Sequence, residues 1–204
     1  MRPGPTVRFV LASASPARLE TLRRAGVVPE VIVSYLDEAT VTAPDVGQLA
    51  QKLAEAKCQA VAAQISGVAL VLGCDSLLEF EGEAIGKPGS TPAAVAQWSR
   101  MSGKQGVLHT GHYLLDTGRM LASAATAATV VHFADVTAAE IDTYCTSGEP
   151  ANVAGAFTID GFGGWFIEAV VGDPHNVVGL SLPTLRRMLA EQGYDLHDLG
   201  YPTP

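Results

Sequence analysis

The sequence predicts an α/β domain built on a mixed sheet with a cleft, not a doubly wound parallel sheet. Three observations carry that reading. The chain opens with a strand, turn and helix over residues 7 to 26. A continuous apolar run, "GVALVLGCD", is followed at once by a hairpin pattern, "LLEFEGEAIGKP". Residues 106 to 135 then alternate in polarity as two long strands lying between helical stretches.

Taken in order, a strand at about 7 to 12 passes through Ser15 and Pro16 into an amphipathic helix that turns Leu19 and Leu22 inward and ends at Gly26. "PEVIVS" reads as a second strand, and residues 46 to 64 as a long alanine-rich helix. "GVALVLGCD" is a buried strand because its apolar residues run without alternation. The hairpin after it turns near Glu81-Gly82, which brings Asp75 and Lys87 close. Thr91-Pro92 supplies an N-cap and first position for a helix to Met101, stopped by Gly103. The two long strands join around Asp116 to Arg119, and "TAAE" at 137 to 140 is a capping box opening a helix to Ser147. A glycine-rich stretch, a strand "GWFIEAVVG" and a helix from Leu182 to Glu191 complete a single domain over residues 1 to 204.

Composition narrows the functions available. The chain is 48% hydrophobic and 17% charged, enough for a proper core. Its net charge of −8 argues against a nucleic-acid or membrane-binding surface, since both need a basic face. A polyanionic ligand would need a local basic pocket. Cys58, Cys74 and Cys145 show no metal spacing and read as small core residues of a protein in a reducing cytosol. "MRPGPTVRFVLAS" has no signal-peptide apolar region, and no apolar run reaches the about eighteen residues of a membrane span, so a cytoplasmic protein is expected.

Several residues break local rules. Arg18 falls at the third helical position, where acids are favoured. It is either a solvated surface arginine or part of an anion site made with Ser13 and the free N–H groups of the helix start. In the helix 46 to 64, Lys57 lies on the stripe of Leu49, Leu53 and Val61, either snorkelling to water or reaching into a cleft. "GCDS" puts Asp75 at the carboxyl end of an apolar strand, the usual edge for ligand-binding groups, though an Asp turn or an arginine partner would also explain it. A two-residue hairpin would set Lys87 opposite Ser76, on the other face from Asp75. Asp37 and Glu38 in "LDEAT" are either a solvated loop or, with Asp75, an oxygen-rich site for Mg²⁺ or Mn²⁺. "AGAFTIDGFGGWF" is not a dinucleotide fingerprint, and its glycines read as turns or close backbone approaches. His109 and His112, three apart in a strand, point to opposite faces and do not share a metal.

These pieces, SxSPxR, DE, a displaced lysine, GCDS with GKP, AGAFTIDGFGG and NVVGLSLP, resemble in order and wording the Maf family of nucleoside triphosphate pyrophosphatases, over nearly the whole chain. The resemblance implies an inosine-triphosphatase-like mixed sheet with two lobes around a central cleft. It also implies metal-dependent hydrolysis of a nucleoside triphosphate to monophosphate and pyrophosphate, and a possible homodimer. By position it makes Asp75 the proton acceptor, places Glu38 beside it at the metal, and matches Ser13, Arg18, Lys57 and Lys87 to phosphate-binding positions. Ser76 and Asp160 fall where a base or loop contact is expected. Many members carry two arginines after SP where this chain has Ala17 first, and pyrimidine-type members read GADT and IQG where it has GCDS and IDG, so base selectivity does not transfer. A nucleotide-binding regulator of cell division is the alternative, and a phosphatase releasing orthophosphate a third reading.

Overall fold

The computed structural model describes residues 7–200. Its strands are β1 Phe9–Ala12, β2 Glu30–Val31, β3 Leu70–Phe80, β4 Glu83–Ile85, β5 Gln105–Asp116, β6 Leu121–Phe133 and β7 Ile167–Val171. The helices are α1 Pro16–Arg24, α2 Val46–Ala62, α3 Thr91–Met101, α4 Ala138–Thr146, α5 Pro174–Val178 and α6 Leu182–Glu191. The strands form one mixed sheet in the order β2-β1-β3-β5-β6-β7, with β4 also pairing β3. The pairs of β1 with β2 and β3 are parallel; every other pairing is antiparallel.

Two cores flank the parallel end of the sheet. One face carries Phe9, Leu11, Leu70 and Leu72, which pack in one cluster with Leu22 of α1 and Leu185 of α6. The other carries Val10, Ala12 and Val71, which pack in one cluster with Cys58 and Val61 of α2. A third core, around Leu78, Phe80, Leu108 and Phe133, gathers α3 and α4 at the far end of the same long strands. Trp98, fully buried there, meets Phe133, Tyr144 and Phe166 edge to face, contacts that contribute about 0.5–1.5 kcal/mol each. Asp75 and Ser76 lie on the stretch of β3 between these cores.

Most elements follow the sequence, and the departures have physical reasons. β3 does not stop at Asp75 but runs on to Phe80, because β5 pairs with it continuously from Leu70 to Glu79. The helix from 91 is capped by Ser90, whose side chain accepts from Ala93 N, with Thr91 at the first helical position. The second strand shortens to two residues, and residues 162–166 form a 3-10 turn ahead of β7. The long hairpin turns where expected, held by Asp116 Oδ1 accepting from Gly118 N at 2.9 Å and Arg119 N at 3.1 Å. The cysteines are free and buried, and burial pushes the Cys58 and Cys74 thiols up to about 12. Among the described residues no helix is long and apolar enough to cross a membrane.

Candidate active site

The site begins as an opening in a sheet edge. β1 pairs with β3 only as far as Ala12 opposite Gly73, and β4 joins the same edge only at Leu78. Residues 74–77 of β3 therefore keep an uncovered edge while β5 covers the other. Side chains alternate along this stretch, so Asp75 and Ser76 serve opposite faces.

On the Asp75 face lies α2. It comes unusually close because Gly73 and Gly111 lie beneath it: a Cβ on Gly73 would stand 2.1 Å from Ala54 O, and one on Gly111 2.3 Å from Ala50 O. That approach lets Lys57 reach the sheet, and its ammonium donates to Asp75 Oδ1 and pairs with Glu38 Oε1 at 2.7 Å. Lys57 therefore does not snorkel to water, and both it and Asp75 are nearly buried. The Glu38 side chain is 54% exposed, which leaves the cluster open on one side. Glu38 sits in a 3-10 turn whose cap is Asp37, accepting from Ala39 N at 3.2 Å. The adjacent acids thus divide, Asp37 to the turn and Glu38 to the lysine.

On the Ser76 face lies Arg18. Ser15 caps α1 and Pro16 opens it, which fixes Arg18 at the third helical position. The guanidinium is buried rather than solvated. It donates from Nε to Gly179 O at 2.7 Å, from Nη1 to Ser13 Oγ at 3.2 Å and from Nη2 to Ser76 Oγ at 3.0 Å. A guanidinium has five N–H bonds, so two remain for a ligand. Ser13 Oγ also accepts from Ser15 N at 3.1 Å, which leaves its own proton free to donate.

Of the remaining expected residues, Ser76 is tied down: its hydroxyl accepts from Arg18 and is bonded to Thr110 Oγ1 at 2.9 Å. Lys87 is not brought onto Asp75. β4 ends at Ile85, and Lys87 follows it, exposed. Its segment is stapled to residues 151–155 by Gly155 N to Gly86 O at 3.0 Å and Gly89 N to Ala151 O at 2.9 Å. Asp160 is exposed on the turn after Ile159. His109 and His112 do point apart. His109 Nε2 meets Glu79 at 2.9 Å, whereas His112 is buried with Nε2 accepting from Ser181 N at 2.9 Å.

Sequence reasoning missed α5 and what it supports. Gly179 O receives Arg18, and Asn176 O accepts from Thr110 Oγ1 at 3.2 Å, so a line of contacts runs from α5 through Thr110 and Ser76 to Arg18. The signal was present: Asp173-Pro174 is a cap and first position, and Gly179 closes the helix in the left-handed region at φ 113°.

Among the described residues no group of three or more His, Cys, Asp or Glu side chains gathers as a metal cage. The donor set at the opening is two carboxylates meeting one ammonium. That number fits Mg²⁺, which usually binds one or two carboxylates and completes its shell with water and phosphate oxygens.

The model of the Maf-like protein family matches residues 8–192. The chain belongs to that family. A Streptomyces coelicolor relative named nucleoside triphosphate pyrophosphatase is 52% identical over 204 residues, covering 99% of this chain and 98% of its own. A Salinispora tropica protein of the same name is 49% identical over 208 residues, covering 97% of this chain and 92% of its own. A solved dITP/XTP pyrophosphatase from Mycobacterium abscessus aligns at 14% identity and a TM-score of 0.42, over 90% of this Maf-like chain and 93% of its own.

Proposed function

We propose that this chain hydrolyses a nucleoside triphosphate to the monophosphate and pyrophosphate, as the names of its relatives suggest. The observation that carries the reading is the convergence of Glu38, Lys57 and Asp75 at the open edge of β3, with Arg18 and Ser13 across it. In that reading Glu38 and Asp75 hold Mg²⁺ or Mn²⁺. A divalent cation there offsets phosphate charge and makes a bound water more acidic.

The chain's own groups do the rest. Incoming phosphate oxygens draw Lys57 away from the two carboxylates, which frees Asp75 to accept a proton. Water attacks the α-phosphorus, the bond from that phosphorus to the bridging oxygen breaks, and its proton passes to Asp75 as pyrophosphate leaves. Arg18, Ser13, Lys57 and Lys87 bind and orient the phosphates, and the preset position of Arg18 means little reorganisation is needed. Ala17 and Asp160 leave the base unspecified. Free, buried cysteines suit the cytoplasm.

The test is product analysis over purine, pyrimidine and modified triphosphates with Mg²⁺, with Mn²⁺ and with chelator. Monophosphate and pyrophosphate in equal amounts, lost on chelation, are expected. Orthophosphate as the first product would overturn the reaction, and nucleotide binding without turnover would favour the regulator instead.

A further inference from the structure

Two serines touch the same guanidinium, and their neighbours send their protons to different places. Arg18 donates from Nη1 to Ser13 Oγ and from Nη2 to Ser76 Oγ. On the far side of Ser76 stands Thr110, fully buried on β5, with its Oγ1 2.9 Å from Ser76 Oγ and 3.2 Å from Asn176 O. A guanidinium can only donate and a carbonyl can only accept, so both ends of this chain are fixed. Thr110 gives its one proton to Asn176 O, and Ser76 therefore gives its own to Thr110. Every hydroxyl from Arg18 to α5 points away from the arginine. Ser76 has no proton left for a ligand, whereas the Ser13 proton is free.

The chain closes on itself. Asn176 O also accepts from Gly179 N at 2.9 Å, and Gly179 O is the group that receives Arg18 Nε at 2.7 Å. Arg18 is thus held to the last turn of α5 twice, directly through Gly179 and indirectly through Ser76 and Thr110. Gly179 sits tight against both partners: a Cβ there would stand 3.3 Å from Arg18 Nε and 3.5 Å from Ser76 Oγ. α5 is itself pinned to β5 and β6, since the buried Asn176 side chain donates from Nδ2 to Leu108 O and Thr129 Oγ1, both at 3.0 Å. With one proton each of Nε, Nη1 and Nη2 spent, Arg18 keeps one N–H on each terminal nitrogen, a donor pair for two oxygens of one phosphate.

We propose that Thr110 is a positioning residue for substrate: by taking the Ser76 proton it keeps a lone pair of Ser76 on the guanidinium, and so aims the free donors of Arg18 at the phosphates without touching them. The proposal rests on the reading of Arg18 as a phosphate ligand. Thr110→Val keeps the side-chain shape but removes the acceptor, so the Ser76 hydroxyl turns its proton elsewhere and the anchor on Nη2 loosens. Thr110→Ser keeps the chain of hydroxyls and loses only a methyl group.

The experiment compares wild type, Thr110→Val and Thr110→Ser by calorimetric binding of inorganic pyrophosphate with Mg²⁺, steady-state kinetics on the triphosphate panel and nitrogen NMR of the arginine side chains. Thr110→Val is expected to weaken pyrophosphate binding and to raise KM, each by about tenfold, with kcat changed by less than about threefold. Thr110→Ser should stay within about twofold of wild type in both, even though losing a buried methyl lowers its unfolding midpoint. The Nη signals of Arg18, separate while the guanidinium is held, should merge in Thr110→Val alone. Wild-type pyrophosphate affinity in Thr110→Val would overturn the proposal. So would a Thr110→Ser protein as impaired as Thr110→Val, since packing rather than the hydroxyl would then be the cause. A wild type that binds pyrophosphate without turning over any triphosphate would count against the hydrolase reading alone, because affinity and the arginine signals still decide the role of Thr110. Should Thr110→Val fold poorly, Ser76→Ala breaks the same chain at its other hydroxyl and should weaken pyrophosphate binding equally; undiminished affinity there would overturn the proposal.

Discussion

Lys57 and Asp75 are the pair on which single substitutions speak most directly. Asp75→Asn keeps the volume and the hydrogen bond to Lys57 but cannot take a proton, so pyrophosphate release should fall by about 10²–10⁴-fold while the circular dichroism spectrum stays that of wild type. Unchanged turnover would remove Asp75 from the chemistry. Lys57→Met retains the apolar stem and leaves Glu38 and Asp75 facing each other without a cation. Nucleotide affinity, measured by calorimetry, should drop at least about tenfold, since a charge-assisted contact to phosphate is lost. The residue scale is also where local pattern spoke first: an arginine among the donors of a helix start and a lysine on an apolar stripe were both out of place for a purely solvated role. Their partners, Gly179 O for Arg18 and Glu38 for Lys57, lie 161 and 19 positions away in sequence and leave no local trace.

At the scale of elements, the site depends on how near α2 lies to the sheet. Gly73 and Gly111 allow a helix backbone to rest where side chains would normally stand. In Gly111→Ala the new Cβ meets the backbone carbonyl of Ala50, not a flexible side-chain end, so strand and helix must part. The cost expected for such overpacking is about 1–3 kcal/mol, read as a lower midpoint in denaturant unfolding, and turnover should fall with it because Lys57 is carried away from Asp75. A Gly111→Ala protein with unchanged stability and rate would show that the helix has slack to move. Among the elements, the long hairpin, α3, the capping box of α4 and the last helix were legible because their periodicity and caps are local. The length of β3 was not, because what extends it past Asp75 is pairing with β5, a contact no window of sequence contains.

For the molecule as a whole, the upper part of the acid limb of stability, above the carboxylate range, is assigned to His112. Burial first, and then the nearby charge of Arg18, lower its pKa from 6.5 to about 4. In the fold its ring stays neutral, with Nε2 accepting from Ser181 N and Nδ1 facing Thr110 O at 3.0 Å. Between pH 6.5 and 4 the unfolded chain binds a proton that the folded chain refuses, so the contribution of His112 falls as pH falls through that window and levels off below it, where Asp116, held down to about 2, goes on losing stability. The span corresponds to about 3 kcal/mol. Chemical unfolding from pH 7 to 4 should show this slope, and His112→Gln should be less stable at pH 7 yet flatter across the window. A variant with the wild-type slope would assign the limb to other groups.

The sequence by itself determined the mixed α/β class, the order of most elements and the identity of the charged residues out of place, because hydrophobic period, caps and turn residues act over a few positions. Only the tertiary structure decided which of those charges meet. The gap in the edge of β3, the glycine bed beneath α2 and the short α5 behind Arg18 all come from contacts between elements distant in sequence. Lys87 shows the difference plainly: its hairpin was legible, but its strand ends before it, and its place is set by backbone hydrogen bonds to residues 151–155.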